Sequence, residues 1–197
     1  MIKAVLYDTD GVLISRKRRF SEMLSDEYAV PYEKILPFFE GEFQSCLIGK
    51  SDLKAEIGKY LVSWNWNKPV EDLLEYWFTS ESKVDDRILD HIRSLREKGV
   101  KCYLHTNNEK YRTEFLLNEL DFNKVFDGAF SSSYLGYLKP QKEFWEHIAE
   151  TIKIPSAEAL VWDDDKENVE SAAEYGFLAR QYADFENYQT EMQGLLS

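Results

Sequence analysis

An α/β fold, with a mostly parallel sheet covered by helices on both faces and interrupted by an inserted all-helical unit, is predicted by three observations. A single short apolar run of strand length opens the chain. From about residue 84 onward, strand-like runs alternate with amphipathic helical patterns, the rhythm of a parallel sheet. Between Ile14 and Lys83 the periodicity is helical throughout, with no convincing strand.

The elements follow in order. Ile2 to Tyr7, broken only by Lys3, has the length and β-branched content of a buried strand. After Val12-Leu13-Ile14 comes Arg16-Lys17-Arg18-Arg19, a dense basic cluster. It reads either as a cationic lip for an anionic substrate or as the solvated face of a helix burying Phe20, Leu24 and Tyr28. Pro31 opens a helix carrying Ile35, Leu36 and Phe39. Ser51 suits the cap of one carrying Leu53, Ile57, Tyr60 and Leu61, and Pro69 opens one with Leu73, Leu74, Trp77 and Phe78. Trp64, Trp66 and Trp77 read as core of this unit or, alternatively, as lining of a substrate pocket.

The α/β rhythm then begins. Ile88, Ile92 and Leu95 mark a helix ending at Lys98-Gly99, with glycine at C′. Val100 to Leu104 is a strand, followed by a helix with Tyr111, Phe115 and Leu116. Ala129 to Ser131 is a short strand, and Pro140 opens a helix with Phe144 and Ile148. Ala159 to Trp162 is an apolar strand, and a helix with Val169, Ala172 and Ala173 ends at Gly176. Leu178 to Tyr182 forms a last strand.

Composition narrows the function classes. In 197 residues, 44% are apolar and 15% aromatic, enough for a packed core. The formal net charge of −12 argues against nucleic acid or an anionic membrane as the main partner. Cys46 and Cys102 are too few for a disulfide framework. His91, His105 and His147 lack metal-ligand spacing. The first residues read as a strand rather than a signal peptide and no run has transmembrane length, so a cytoplasmic protein is expected.

Polar residues with no local task gather at the predicted strand ends. The first strand ends in Asp8-Thr9-Asp10-Gly11. Two like charges about 4 Å apart cost on the order of 4 kcal/mol at an effective dielectric of 20, so the pair reads as a site for a cation or as an acidic helix cap. The second strand ends in Thr106-Asn107 and the third in Asp163-Asp164-Asp165; each also reads as a cap of the following helix. Lys139, before Pro140, taken alone reads as a surface lysine. In a parallel sheet these ends share one edge, where ligands bind. Several carboxylates suit a hard divalent cation such as Mg²⁺. The lysine and the threonine hydroxyl suit phosphoryl oxygens, and a carboxylate is itself a competent nucleophile.

Four motifs in this order resemble those of the haloacid dehalogenase (HAD) superfamily of hydrolases. Val5-Leu6-Tyr7-Asp8-Thr9-Asp10-Gly11-Val12-Leu13 is similar to its first motif, D-x-D-G-[TV]-[LI] after an apolar strand. Leu104-His105-Thr106-Asn107 resembles the second, with histidine where an apolar residue is expected. Gly136-Tyr137-Leu138-Lys139-Pro140 resembles the third. Val161 to Val169, followed by Ala172, Ala173 and Gly176, resembles the fourth. The resemblance implies a Rossmann-like α/β core from residues 1–15 and 83–197, and a helical cap from residues 16–82. It implies Asp8 as nucleophile and Asp10 as acid/base, with Thr106, Asn107 and Lys139 on the phosphate. Mg²⁺ would be held by Asp8, the Asp10 carbonyl and Asp164, with Asp163 and Asn168 in support.

The resulting expectation is a Mg²⁺-dependent phosphatase, monomer or homodimer, acting on a small phosphorylated metabolite (a sugar phosphate or nucleotide monophosphate) through an aspartyl-phosphate. A phosphomutase using the same motifs and a catalytically silent phosphometabolite-binding protein are the alternatives. Asp10, generally missing from the family's dehalogenases, disfavours dehalogenation. A receiver module places its phospho-acceptor later in the chain and has no helical insertion.

Overall fold

The computed structural model describes residues 1–15 and 17–196; Arg16, first of the basic cluster, lies outside them. The chain runs β1 (Ala4–Asp8), β2 (Ile14–Ser15), α1 (Phe20–Tyr28), α2 (Tyr32–Glu40), α3 (Glu42–Leu47), α4 (Leu53–Gly58), α5 (Val70–Ser80) and β3 (Lys83–Val84). It continues through α6 (Asp86–Glu97), β4 (Lys101–Thr106), α7 (Lys110–Asn118), α8 (Phe122–Val125), β5 (Gly128–Ser131) and α9 (Ser132–Leu135). Then come α10 (Lys142–Ile152), β6 (Ala159–Asp163), α11 (Lys166–Tyr175), β7 (Leu178–Gln181) and α12 (Phe185–Leu196).

Five strands form one sheet in the order β5–β4–β1–β6–β7, every neighbouring pair parallel. Strand alternation divides its residues between two cores. Val5 and Tyr7, with Cys102, Leu104, Leu160 and Trp162, pack on Ile88, Ile92 and Leu95 of α6 and on Tyr188 and Met192 of α12. Ala4, Leu6 and Val161 face the other way, onto Phe144, Trp145 and Ile148 of α10 and Ala172 of α11. Each large aliphatic or aromatic side chain buried in this way contributes about 1.5–3 kcal/mol. Both faces are therefore apolar, and only strand ends are left to carry polar groups. β1 lies between β4 and β6, so chain order reverses beside it and a crevice opens at the carboxyl ends.

The helices between β2 and β3 have a core of their own, built on Phe20, Leu24, Ile35, Phe38, Ile57, Trp64, Leu73 and Trp77. Trp64 and Trp66 are buried in it. Among the described residues no helix is long and apolar enough to cross a membrane.

Several local expectations are corrected. Asp52, not Ser51, caps α4, accepting from the Ala55 N–H at 3.0 Å. That helix ends at Gly58, the poorest helix former in the segment after proline is set aside, and Tyr60 and Leu61 pack from the turns that follow. Lys17, Arg18 and Arg19 precede α1 rather than forming a face of it, and Arg18 reaches forward to Asp26 at 2.5 Å. The two-residue antiparallel ribbon of β2 and β3, too short to show periodicity, was not foreseen; it pairs Ile14 with Val84 and Ser15 with Lys83. The first strand starts at Ala4 and reaches Asp8, and the second extends to Thr106.

Candidate active site

The carboxyl ends of β1, β4 and β6 bring the strand-end residues together. Asp8 is the last residue of β1, in register with His105 on β4. Thr9, next along, donates its own N–H to Asp8 Oδ1 at 2.8 Å, which orients the carboxylate. Lys139 Nζ reaches Asp8 Oδ1 at 2.8 Å and Asp163 Oδ2 at 2.7 Å, with all three side chains nearly or wholly buried. Asp163 is held in turn by the Asp165 N–H at 2.9 Å and by Asn168 Nδ2 at 3.1 and 3.2 Å. Lys139 is thus no surface lysine.

The helix caps next to the site are supplied by other residues. Asp165 caps α11 through the Glu167 N–H at 2.8 Å, and Glu109 caps α7, accepting from the Tyr111 and Arg112 N–H groups. Thr106, Asn107, Asp163 and Asp164 are therefore released from capping. The Asn107 side chain brackets the Lys139 backbone, donating to its carbonyl and accepting from its N–H, both at 2.9 Å. Gly11 has φ +92°, and a Cβ there would fall 2.0 Å from Asp164 Oδ2. The Asp164 carboxylate consequently lies against the Asp10–Gly11 backbone, a close approach that only glycine permits.

Electrostatics follow from burial. Burial lifts the Asp8 carboxyl to about 8, with Lys139 pulling the other way. For Lys139 burial disfavours the charge, but Asp8 and Asp163 together outweigh it and raise its pKa, so the ammonium persists. Burial, reinforced by Lys139, holds His105 well below its ordinary value. Neutral His105 places Nε2 3.2 Å from the Trp162 carbonyl and packs edge-on against Trp145 at 5.5 Å. It is a core histidine in a position where an apolar residue was expected. Asp8, His105 and Asp163 place ligand-type atoms within 4.8 Å of one another. The Lys139 ammonium binds both carboxylates of that group, so the cation there is lysine.

Three further residues carry geometry that sequence reasoning missed. Asn108 Nδ2 joins Asp10 Oδ2 at 3.1 Å to Thr106 Oγ1 at 2.6 Å. Arg112 lies 3.9 Å from Asp10 Oδ1 while donating to the Phe78 carbonyl at 2.8 Å and Ser82 Oγ at 3.1 Å. Glu81 accepts from the Phe20 N–H at 2.6 Å and from Trp77 Nε1 at 3.2 Å. The available signal was position: Asn108 and Arg112 follow a strand end at two and six residues, within reach of its edge.

Asp8, Asp10, Thr106, Asn107, Lys139, Asp164 and Asn168 all line one cavity of about 630 Å³ between the sheet edge and the helices, together with Arg19 and Trp77. Asp163 lies just beneath, wholly buried.

Comparison with known proteins bears on the family and the fold. Residues 2–176 match the family model for haloacid dehalogenase-like hydrolases. The chain is 34% identical over 104 residues to a sesquiterpene phosphatase of Aspergillus oryzae, a match spanning 52% of this chain and about half (52%) of that relative. It is 23% identical over 183 residues to a phosphorylated carbohydrates phosphatase of Thermotoga maritima, covering 89% of this chain and 82% of that one. A HAD family enzyme of Bacteroides thetaiotaomicron, crystallised with magnesium and inorganic phosphate, shares the fold at a TM-score of 0.80, with 20% identity over 95% of this chain and 99% of its own. A parallel sheet with acidic strand ends, and a family match running from β1 through α11, lead to one assignment: the chain belongs to the haloacid dehalogenase-like hydrolases.

Proposed function

We propose that the protein is a Mg²⁺-dependent phosphatase that hydrolyses a phosphate monoester through an aspartyl-phosphate on Asp8. The observation that carries this reading is the buried Asp8–Lys139–Asp163 charge chain opening onto the cavity beside Thr106 and Asp164. The two phosphatase relatives, one of carbohydrate phosphates and one acting in sesquiterpene chemistry by its name, support the reaction type.

The donor set fits a hard divalent ion. The Asp8 carboxylate, the Asp10 carbonyl and the Asp164 carboxylate are all oxygen ligands, and the missing Cβ of Gly11 lets Asp164 close on that turn. When bound, Mg²⁺ would supply positive charge that offsets the burial of Asp8 and screens phosphoryl oxygens.

In the proposed reaction an Asp8 carboxylate oxygen attacks phosphorus and the bond to the ester oxygen breaks. Asp10, held by Asn108, gives its proton to that leaving oxygen, releasing the alcohol. Thr106, the Asn107 N–H and Lys139 hold the phosphoryl oxygens while charge develops. Water then attacks phosphorus and passes a proton to Asp10, freeing Asp8 and inorganic phosphate. Residues 1–15 and 83–197 would form the catalytic core and 16–82 a cap, pivoting on the β2–β3 ribbon to exclude water.

The test is phosphate release from a panel of monoesters with and without chelator. Release should require Mg²⁺ and should be abolished by Asp8→Asn. Turnover that survives either change would overturn the reading.

A further inference from the structure

The half of the cavity supplied by the helical unit is unlike the half supplied by the sheet. Leu36, Phe39, Phe43 and Leu47 recur at three- and four-residue spacing along α2 and α3, and all four line the cavity. A stripe at helical spacing is ordinarily core. This one lies beside the core: Ile35, Phe38 and Cys46 take the buried positions, while Leu36, Phe39, Phe43 and Leu47 stay half-buried. Trp77 completes the wall, with ring centroids 5.5 Å from both Phe39 and Phe43.

Four polar side chains of the cavity lining, Ser21, Tyr32, Glu81 and, from α7, Arg112, make hydrogen bonds within the protein. Ser21 Oγ and the Tyr32 hydroxyl bond to each other at 3.3 Å. Glu81 is held by the Phe20 N–H and Trp77 Nε1, and Arg112 by the Phe78 carbonyl and Ser82. Arg19 is exposed, so it places a cation at the solvent boundary rather than a reader of hydroxyl groups inside. A sugar or nucleoside entering here would bury hydroxyl or amide groups against aromatic rings, and each polar group left without a partner costs about 1–3 kcal/mol. An apolar body would instead remove both itself and the rings from water. A cavity of about 630 Å³ is in the range that encloses most of a drug-sized organic molecule.

We infer that the substrate is the monophosphate of an apolar alcohol, whose hydrocarbon body lies against the Leu36–Phe39–Phe43–Leu47 stripe and Trp77 while its phosphate meets Asp8. The inference rests on the phosphatase reading for turnover and on the cavity wall for the substrate class.

A series of n-alkyl monophosphates from ethyl to dodecyl, with glucose 6-phosphate and AMP alongside, tests it in the full-length protein with Mg²⁺. Hydrolysis should gain about three- to fourfold in kcat/KM per methylene until the cavity is filled. Decyl phosphate should then exceed glucose 6-phosphate by at least about 100-fold. Phe43→Ser and, separately, Leu36→Asn, both at half-buried positions, should lower the decyl-to-ethyl ratio by about tenfold. A flat series, or a preference for the sugar phosphate, overturns the inference and leaves the phosphatase reading standing. If no ester is hydrolysed, that reading fails, and calorimetry with non-hydrolysable n-alkylphosphonates decides the inference alone: affinity rising with chain length upholds it, and affinity independent of chain length overturns it.

Discussion

The floor and the ceiling of the cavity are built by opposite means. On the floor, Asp8, Lys139, Asp163 and Asn168 form a chain of charged and polar groups in which each contact is between 2.7 and 3.2 Å. On the ceiling, rings touch rings: Phe20 stacks on Trp77 at 4.7 Å, and Phe39 meets Phe43 edge-on at 5.3 Å. Directional bonds between buried charges tolerate almost no substitution, since removing one partner strands the other. Apolar contact is non-directional, and another hydrocarbon of similar volume serves nearly as well. The same cavity therefore joins a part in which residue identity decides the chemistry to a part in which shape and bulk decide what is admitted.

That contrast can be broken experimentally, and the largest effect is expected on the floor. Lys139→Met leaves Asp8 and Asp163 facing each other in a buried site. Phosphate release should fall by at least about 1,000-fold, and the fold should lose about 3–5 kcal/mol, read by urea unfolding. Full stability together with lost turnover would mean that the carboxylates find other partners, and the floor would be less constrained than its distances suggest.

Next comes the core behind the ceiling. Leu73 is fully buried among the helices and does not line the cavity. Leu73→Ala should cost about 2–5 kcal/mol while phosphate release per folded molecule changes by less than about threefold. Tryptophan fluorescence reports the loss, because Trp64, Trp66 and Trp77 lie in the helical core while Trp162 and Trp145 lie in the cores on the two faces of the sheet. Turnover falling in parallel with Lys139→Met would dissolve the distinction between the two regions.

The smallest effect is a pH dependence at the floor's margin. Burial raises the Glu109 carboxyl to about 7, against the pull of the two N–H groups it caps. Its folded value lies above the unfolded one, so the folded state binds the proton more tightly. This contribution is complete below about pH 4.5 and is lost as pH rises through about 7. The melting temperature of the wild type should decline between these values more than that of Glu109→Gln; parallel curves would assign the decline to other groups.

Legibility in the sequence follows the same divide. The parallel sheet was legible because β1 and β6 are each an apolar run closed by an aspartate, and α6 closes with Lys98-Gly99. Asp8, Thr106 and Asp164 stood out because no strand end needs such groups, whereas Lys139, on a loop, gained meaning only from its place among the other three motifs. Asn108 and Arg112 did not, because an asparagine before a helix and an arginine within one have ordinary local explanations; only the tertiary approach to Asp10 distinguishes them. Phe39 was legible as the apolar face of a helix but not as cavity wall, since periodicity identifies a face without saying what covers it. The α4 boundary was misplaced because Tyr60 and Leu61 keep the apolar rhythm after the helix has ended.

The two short strands flanking the helical unit have a consequence for how such a chain can vary. Ile14 pairs with Val84 and Ser15 with Lys83, and the Asp85 N–H donates to the Leu13 carbonyl at 2.9 Å. Seen from the sheet, the whole helical excursion begins and ends within one hydrogen-bonded step, as a hairpin loop does. Closing a loop grows costlier only with the logarithm of its length, about 0.6 kcal/mol for each doubling. Lengthening, shortening or exchanging the excursion would therefore scarcely tax the folding of the sheet, and the ceiling is free to be rebuilt in another shape while the three polar strand ends stay where they are.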